Sequence, residues 1–235
     1  MSSFVRRFKT GRFIWTVLVT LYFLIFFTNF FRDAIPDRMI LPLLFSYVFV
    51  LWLSLEYYFG SPFFQSGAVE HSAFWRGVFA FFVYPFLAYL GADFIWWHWT
   101  QMPVPVAVTG LLGLAVFGIG TYLRLGTMFA LLGIAQVGPP VRGSKEETLL
   151  LPGKRFVALR FQKLSRHPRY FATFVQLVGA ALVFRSWGGL VLAVAIALPL
   201  LLVQARHEDT QLRGLLKNEL KNYTDTVPSF WPRLR

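Results

Sequence analysis

Apolar runs of roughly bilayer-crossing length recur along this chain, and few folds can hide so many of them. A hydrocarbon core of roughly 30 Å takes about twenty residues of helix. The runs Phe13–Phe31, Met39–Phe59, Val78–Trp97 and Val104–Leu123 reach that length or come close to it. Tyr170–Phe184 and Trp187–Val203 are shorter and are separated by little more than "RSWGG". That pair reads as a helical hairpin on a tight glycine turn, with Arg185 snorkelling from the turn to the far interface. The expected fold is an all-α integral membrane protein of about six transmembrane helices, closed by an amphipathic C-terminal helix.

Polar surface is correspondingly scarce. Charged residues make up 14% of the 235, against roughly 25% in a soluble domain, and mean hydropathy is +0.55. The net charge of +12 would point to nucleic acid in a soluble protein. Here the basic residues sit between apolar runs, so anionic membrane lipids and anionic ligands are the expected partners, and nucleic acid is not. The absence of cysteine excludes disulfides, thiolate metal sites and cysteine nucleophiles. Arg6, Arg7, Lys9 and Arg12 before an apolar run imitate a secretory signal. The run is too long for one and no small-residue cleavage site follows, so it reads as a retained helix.

Charge placement orients the set. The amino-terminal segment is basic. The loop holding Arg32, Asp33, Asp37 and Arg38 is balanced, and the loop near Met102 is uncharged. Segment 124–169 carries nine Lys and Arg residues, from Arg124 to Arg169, against Glu146 and Glu147. That segment and the tail are expected in the cytoplasm with the N-terminus, so most candidate chemistry faces that side. Residues 138–155 are rich in Gly, Pro and charge and read as a loop. Pro85 is expected to kink its helix, and Asp93 to be interfacial.

The densest chemistry is "KLSRHPRY" at 163–170. Pro168 disfavours a helical His167 yet suits the first turn of a new helix. A helix therefore starts here, with free N–H groups and Arg166 and Arg169 around it. That predicts an anion site for a carboxylate or phosphate, beside the plainer reading that Arg and Lys mark the cytoplasmic boundary. No His, Asp or Glu sits near His167 at metal-ligand spacing, so no metal is expected. In the tail, a helix from about Arg206 to Tyr223 aligns Leu212, Leu216 and Leu220. Extended one turn back, that stripe meets Glu208, which is then inward and in need of a partner. The partner is a salt bridge to Arg206 or Arg166, or the cationic group of a ligand. Asp209 falls on the stripe of Arg213, Lys217 and Lys221, an ordinary solvated i,i+4 arrangement.

"RHPRY", a hairpin, "HEDTQL", Tyr223 and "VPSFWP" together resemble the isoprenylcysteine carboxyl methyltransferase and phospholipid methyltransferase superfamily. The positions that match are Arg166, His167, Pro168, Tyr170, Glu208, Leu212, Tyr223, Val227 and Pro228, with "YLRLG" at 122–126 similar to an L-R segment containing Arg124. The likeness spans roughly residues 120–232. The apolar runs place three N-terminal transmembrane helices in 1–103, which carry no signature of that family, and the likeness implies a methyltransferase-like region in 104–235. It implies S-adenosylmethionine as cofactor, bound by Arg166, His167, Pro168, Tyr170, Glu208 and Tyr223. It also implies catalytic or substrate-anchoring roles for Glu208, Arg124 and Arg206, and a lipidic or lipid-anchored methyl acceptor with a carboxyl or amine group. An amine acceptor would need to lose a proton, with Glu208 the implied base.

The chain departs from the pattern at several points. "RFQKLS" replaces G-x-Y before RHP, Leu216–Lys217 replaces F-G, and Thr121 or Gly120 stands where prenylcysteine enzymes carry an acid. The cofactor half thus matches better than the substrate half. Two other classes share the outline. One is an NADPH-dependent membrane sterol or enone reductase, whose K-Y-G-x-x-W is replaced here by "LKNELKNY". The other is a non-catalytic membrane protein that kept the fold.

Overall fold

The structure, a computed structural model, describes residues 17, 18, 21, 22, 25, 36–64, 70–137, 150–151, 155–156, 163–216 and 224–232. These are mostly helical. Helix α1 (Ile40–Phe64) is opened by a 3-10 turn at Asp37–Met39. Helix α2 (Glu70–Ala92) contains Pro85 and widens into a π-turn at Asp93–Trp97. Helix α3 runs Val106–Val137 and α4 runs Pro168–Val183. Between them, β1 (Leu150–Leu151) and β2 (Arg155–Phe156) form a two-residue antiparallel ladder with Leu150 opposite Phe156. Helix α5 (Trp187–Leu192) widens into a π-turn at Ala193–Ala197 and continues as α6 (Leu198–Leu216). Of the first expected span, Val17, Leu18, Leu21, Tyr22 and Ile25 are described, and all are helical.

Two stretches, Val106–Thr127 and Trp187–His207, are long and apolar enough to cross a membrane, and in each only 28% of the apolar window is buried in the protein. The second corrects the sequence reading, which ended the hairpin at Val203 and began a separate tail helix near Arg206. The helix has no break there, because Gln204 and Ala205 are good helix formers and no Gly or Pro stands at the junction. Its irregularity lies earlier. A prolyl ring crowds the carbonyl four residues before it; for Pro199 that is Ala195, at the centre of the widened turn.

The core forms where α3 and α4 pack antiparallel at backbone distance. A Cβ on Gly113 would lie 2.5 Å from the Val183 nitrogen and 2.7 Å from the Gly179 oxygen; one on Gly179 would lie 2.6 Å from the Phe117 nitrogen. Small residues let helices approach this closely where lipid removes the usual hydrophobic drive. Around that contact Phe45, Phe86, Leu90, Phe117, Val183, Ala193 and Ala197 are buried. Phe45 meets Phe117 and Phe184 edge-on, with centroids 5.0 and 5.7 Å apart.

The hairpin turn also differs from expectation. Its left-handed residue is Arg185 (φ 55°), not a glycine. Ser186 caps α5 by accepting from the Gly189 N–H at 3.0 Å. Gly188 and Gly189 lie inside α5, where a Cβ on the first would strike Tyr89 Oη and Thr100 Oγ1 and one on the second the Leu90 side chain. The glycines serve close packing. Arg185 does not snorkel; its guanidinium donates to the Met102 carbonyl.

The turn is tied to the loop that follows α2. Asp93 is fully buried within the protein. Its Oδ1 accepts from the Trp99 and Thr100 N–H groups at 2.9 and 3.2 Å, and its Oδ2 from the Thr100 hydroxyl at 2.7 Å. Thr100 Oγ1 is also within 2.9 Å of Ser186 Oγ and 3.0 Å of Tyr89 Oη. Backbone bonds from Met102 N–H to Arg185 O (2.7 Å) and Trp187 N–H to Thr100 O (2.8 Å) complete the clamp.

Candidate functional site

Helix α4 starts where the sequence says it must. His167 has φ −121° and ψ 61°, and Pro168 occupies the first helical position. The His167 carbonyl accepts from the Tyr170 and Phe171 N–H groups at 3.1 and 3.2 Å. The backbone just before it is hydrogen-bonded by the tail. Arg166 N–H donates to Pro228 O (2.9 Å) and His167 N–H to Ser229 O (3.1 Å). The Ser165 hydroxyl reaches Ser229 O at 3.2 Å and Phe230 O at 2.9 Å. "RHP" and "VPSFW" therefore dock edge to edge.

Asp209 closes this joint. Its Oδ1 accepts from His167 Nε2–H at 2.8 Å, and its Oδ2 lies 2.8 Å from Arg166 Nη1 and accepts from the Ser229 hydroxyl at 3.1 Å. The arginine contact is a charge contact, not an aligned hydrogen bond, and the Arg166 Nε–H is buried with no acceptor among the described residues. The Asp209 side chain is 12% exposed. This overturns the expectation that Asp209 is solvated beside Arg213. The inward stripe of α6 is Leu201, Ala205 and Asp209, each four residues on. Asp209 lies three residues before Leu212 in the sequence, whereas the sequence reading stepped back four, to Glu208. Three and four are both allowed steps on one helix face.

Aromatic packing surrounds the ion cluster. The His167 and Tyr170 rings stack at 5.6 Å, 23° apart. Phe230 is buried with Tyr170, Leu201 and Ala205. Phe171 meets Phe230 and Trp231 edge-on at 6.0 and 5.8 Å, and Phe174 meets Trp231 at 6.1 Å. The tail is thus anchored by hydrogen bonds on one side and by rings on the other.

Arg124 reaches the same helix one turn further on. Its Nη1 donates to Thr173 Oγ1, which donates to the Arg169 carbonyl at 3.0 Å. Its guanidinium lies 5.8 Å from the Trp52 ring centroid, within cation–π range. Gln176 donates to Thr121 Oγ1 at 3.0 Å beside it. Of the predicted site residues, Arg166, His167, Pro168 and Tyr170 come together, and Arg124 is near. Arg206 is exposed. The Glu208 side chain and Tyr223 lie outside the described residues. Sequence reasoning missed Asp209, Ser229, Ser165 and Thr173; the Leu201–Ala205 spacing was the signal for the first.

Burial alone would push the Asp209 carboxyl up. The His167 hydrogen bond and charge, the Arg166 guanidinium and the Ser229 hydroxyl outweigh it and hold the carboxyl below its ordinary 3.8. Asp209 is therefore an ionised pin, not a base waiting for a proton. It stands where the sequence placed a ligand anion. Among the described residues no three His, Asp or Glu side chains converge on a metal position.

A scan against models of known protein families matches none of them, and no curated protein matches the chain.

Proposed function

We propose that this protein is an integral membrane methyltransferase that uses S-adenosylmethionine to methylate a carboxyl or amine group of a membrane-borne lipidic acceptor. One observation carries the reading. Three segments of the resemblance, at 166–170, 208–212 and 227–231, are far apart in sequence, and they meet around Asp209. In this reading Arg166 holds the cofactor carboxylate through its Nε–H, Tyr170 lines the pocket, and Arg124 faces the acceptor. His167 and Asp209 position the joint without touching cofactor. The cofactor supplies an activated methyl group, so the protein's share is orientation and exclusion of water. The chain would cross the bilayer six times, with the basic segments and the tail in the cytoplasm; the largely exposed apolar faces of the two long helices support a lipid surrounding.

A second reading, a non-catalytic membrane protein that kept the fold, is favoured by Asp209 itself, which takes the position of a ligand anion. Titration calorimetry in lipid nanodiscs with S-adenosylhomocysteine distinguishes them. Binding at micromolar concentration, weakened at least tenfold by Arg166→Ala, is expected of the enzyme, together with transfer of labelled methyl into a lipid extract. Neither binding nor transfer, with an intact fold, would establish the second reading. Binding of NADPH instead would point to a reductase.

A further inference from the structure

The clamped end of the molecule carries four exposed tryptophans. Trp96, Trp97, Trp99 and Trp187 are 72%, 44%, 77% and 54% exposed, while Asp93 and Phe94 beside them are buried. Trp97 and Trp99 stack at 5.1 Å and 15°, held so by the left-handed His98 between them (φ 57°). Large indoles in water are unfavourable, yet here the buried clamp turns them outward. We propose that this collar seats in the boundary between headgroups and hydrocarbon of the leaflet opposite the Asp209 joint, and that it binds zwitterionic lipid without needing anionic lipid.

Three observations identify lipid as the occupant. The collar lies where the two membrane-length helices begin, at Val106 and Trp187, and the bonds between Thr100 and Trp187 and between Met102 and Arg185 hold those two starts together. From there 22 and 21 residues of helix lead to Thr127 and His207. At 1.5 Å per residue that is about 32 Å, close to one hydrocarbon thickness. The far ends of these stretches lie beside Arg124 and Arg206, so an aromatic rim and a basic rim bound one apolar band. Indoles, with an apolar body and one N–H, concentrate at this depth. Charge selects the lipid. Residues 93–105 contain no Lys or Arg, Asp93 is turned inward, and the Arg185 guanidinium of the facing turn is directed at the Met102 carbonyl. At the same end the exposed Asp37 and Arg38, just before α1, offset one another, so this end offers indole N–H groups and no net positive charge for an anionic headgroup to meet.

The absence of cysteine makes single nitroxide labels straightforward. Trp99→Cys and Trp187→Cys probe the collar; Leu111→Cys and Val194→Cys, exposed on the apolar faces, probe the band. The full chain is reconstituted in phosphatidylcholine vesicles, and collisions with oxygen and with a water-soluble nickel chelate are compared. Collar labels are expected at the boundary depth and band labels deep, with no shift when phosphatidylglycerol is added. Collar labels as open to the chelate as a label in water would overturn the proposal. So would shielding from both reagents, as under a protein partner or a second copy, or a depth that follows anionic lipid. Should the cysteine variants misfold, quenching of the native tryptophans gives the second readout. Lipids brominated near the headgroup should quench more than lipids brominated at the chain end. Replacing the four collar residues by Phe should remove much of that difference; an unchanged difference would refute the collar.

Discussion

At the scale of single residues, Asp209 decides how the C-terminal segments come together. Removing one partner of a buried charge cluster leaves the others uncompensated. Asp209→Asn is therefore expected to lower stability by about 3 kcal/mol, read by thermal unfolding in detergent. The pH dependence has a definite sign. The folded carboxyl titrates below its ordinary 3.8, so its stabilisation is complete above that value and is lost as pH falls through the folded value. The gap between wild type and Asp209→Asn should shrink once pH falls below 3.8; a gap that stayed undiminished there would contradict the ion cluster. The RHP turn was legible because proline dictates its own backbone. The choice between Glu208 and Asp209 was not, since adjacent residues on a helix differ by about 100° and the tail's leucines accept either step. The hairpin side, Leu201 and Ala205, fixes the phase.

At the scale of elements, the α3–α4 contact is set by glycines whose absent side chains matter more than their flexibility. Gly113→Val or Gly179→Val must push the helices apart, at an expected cost of about 2 kcal/mol or more. Gly118, with nothing within 4 Å of a Cβ, is the control. Gly118→Ala should be neutral or raise stability by up to about 1 kcal/mol through helix propensity. Unfolding midpoints of the three variants test this, and equal losses would argue against backbone contact. The helices themselves were legible as apolar runs. Which glycines of α3 face a neighbour was not, because that run is apolar all round and carries little periodicity.

At the scale of the whole molecule, the sequence announced an apolar protein with one basic side but not the knot that levels its other end. Asp93 holds Thr100, whose hydroxyl meets Ser186, 86 residues further on, and nothing in either local sequence points to the other. The same holds for His167 and Asp209, 42 residues apart. Such pairs depend on how helices are threaded, which local propensity does not encode.

The widened turn at Ala193–Ala197 adds one consequence. A π-turn takes up an extra residue within a single turn of the helix. The rod from Trp187 to Leu216 therefore has a place where chain length is slack and a stretch where it is not. Deleting Ala195 in a Pro199→Ala background should let the turn tighten to an ordinary one, with Asp209 still facing Arg166. Deleting Val203 should swing Asp209 about 100° away and unfasten the tail. Protease sensitivity of the C-terminus would separate the two, and equal damage from both deletions would show that the bulge holds no spare residue. Length variation in this rod, if it is tolerated anywhere, belongs at those five residues.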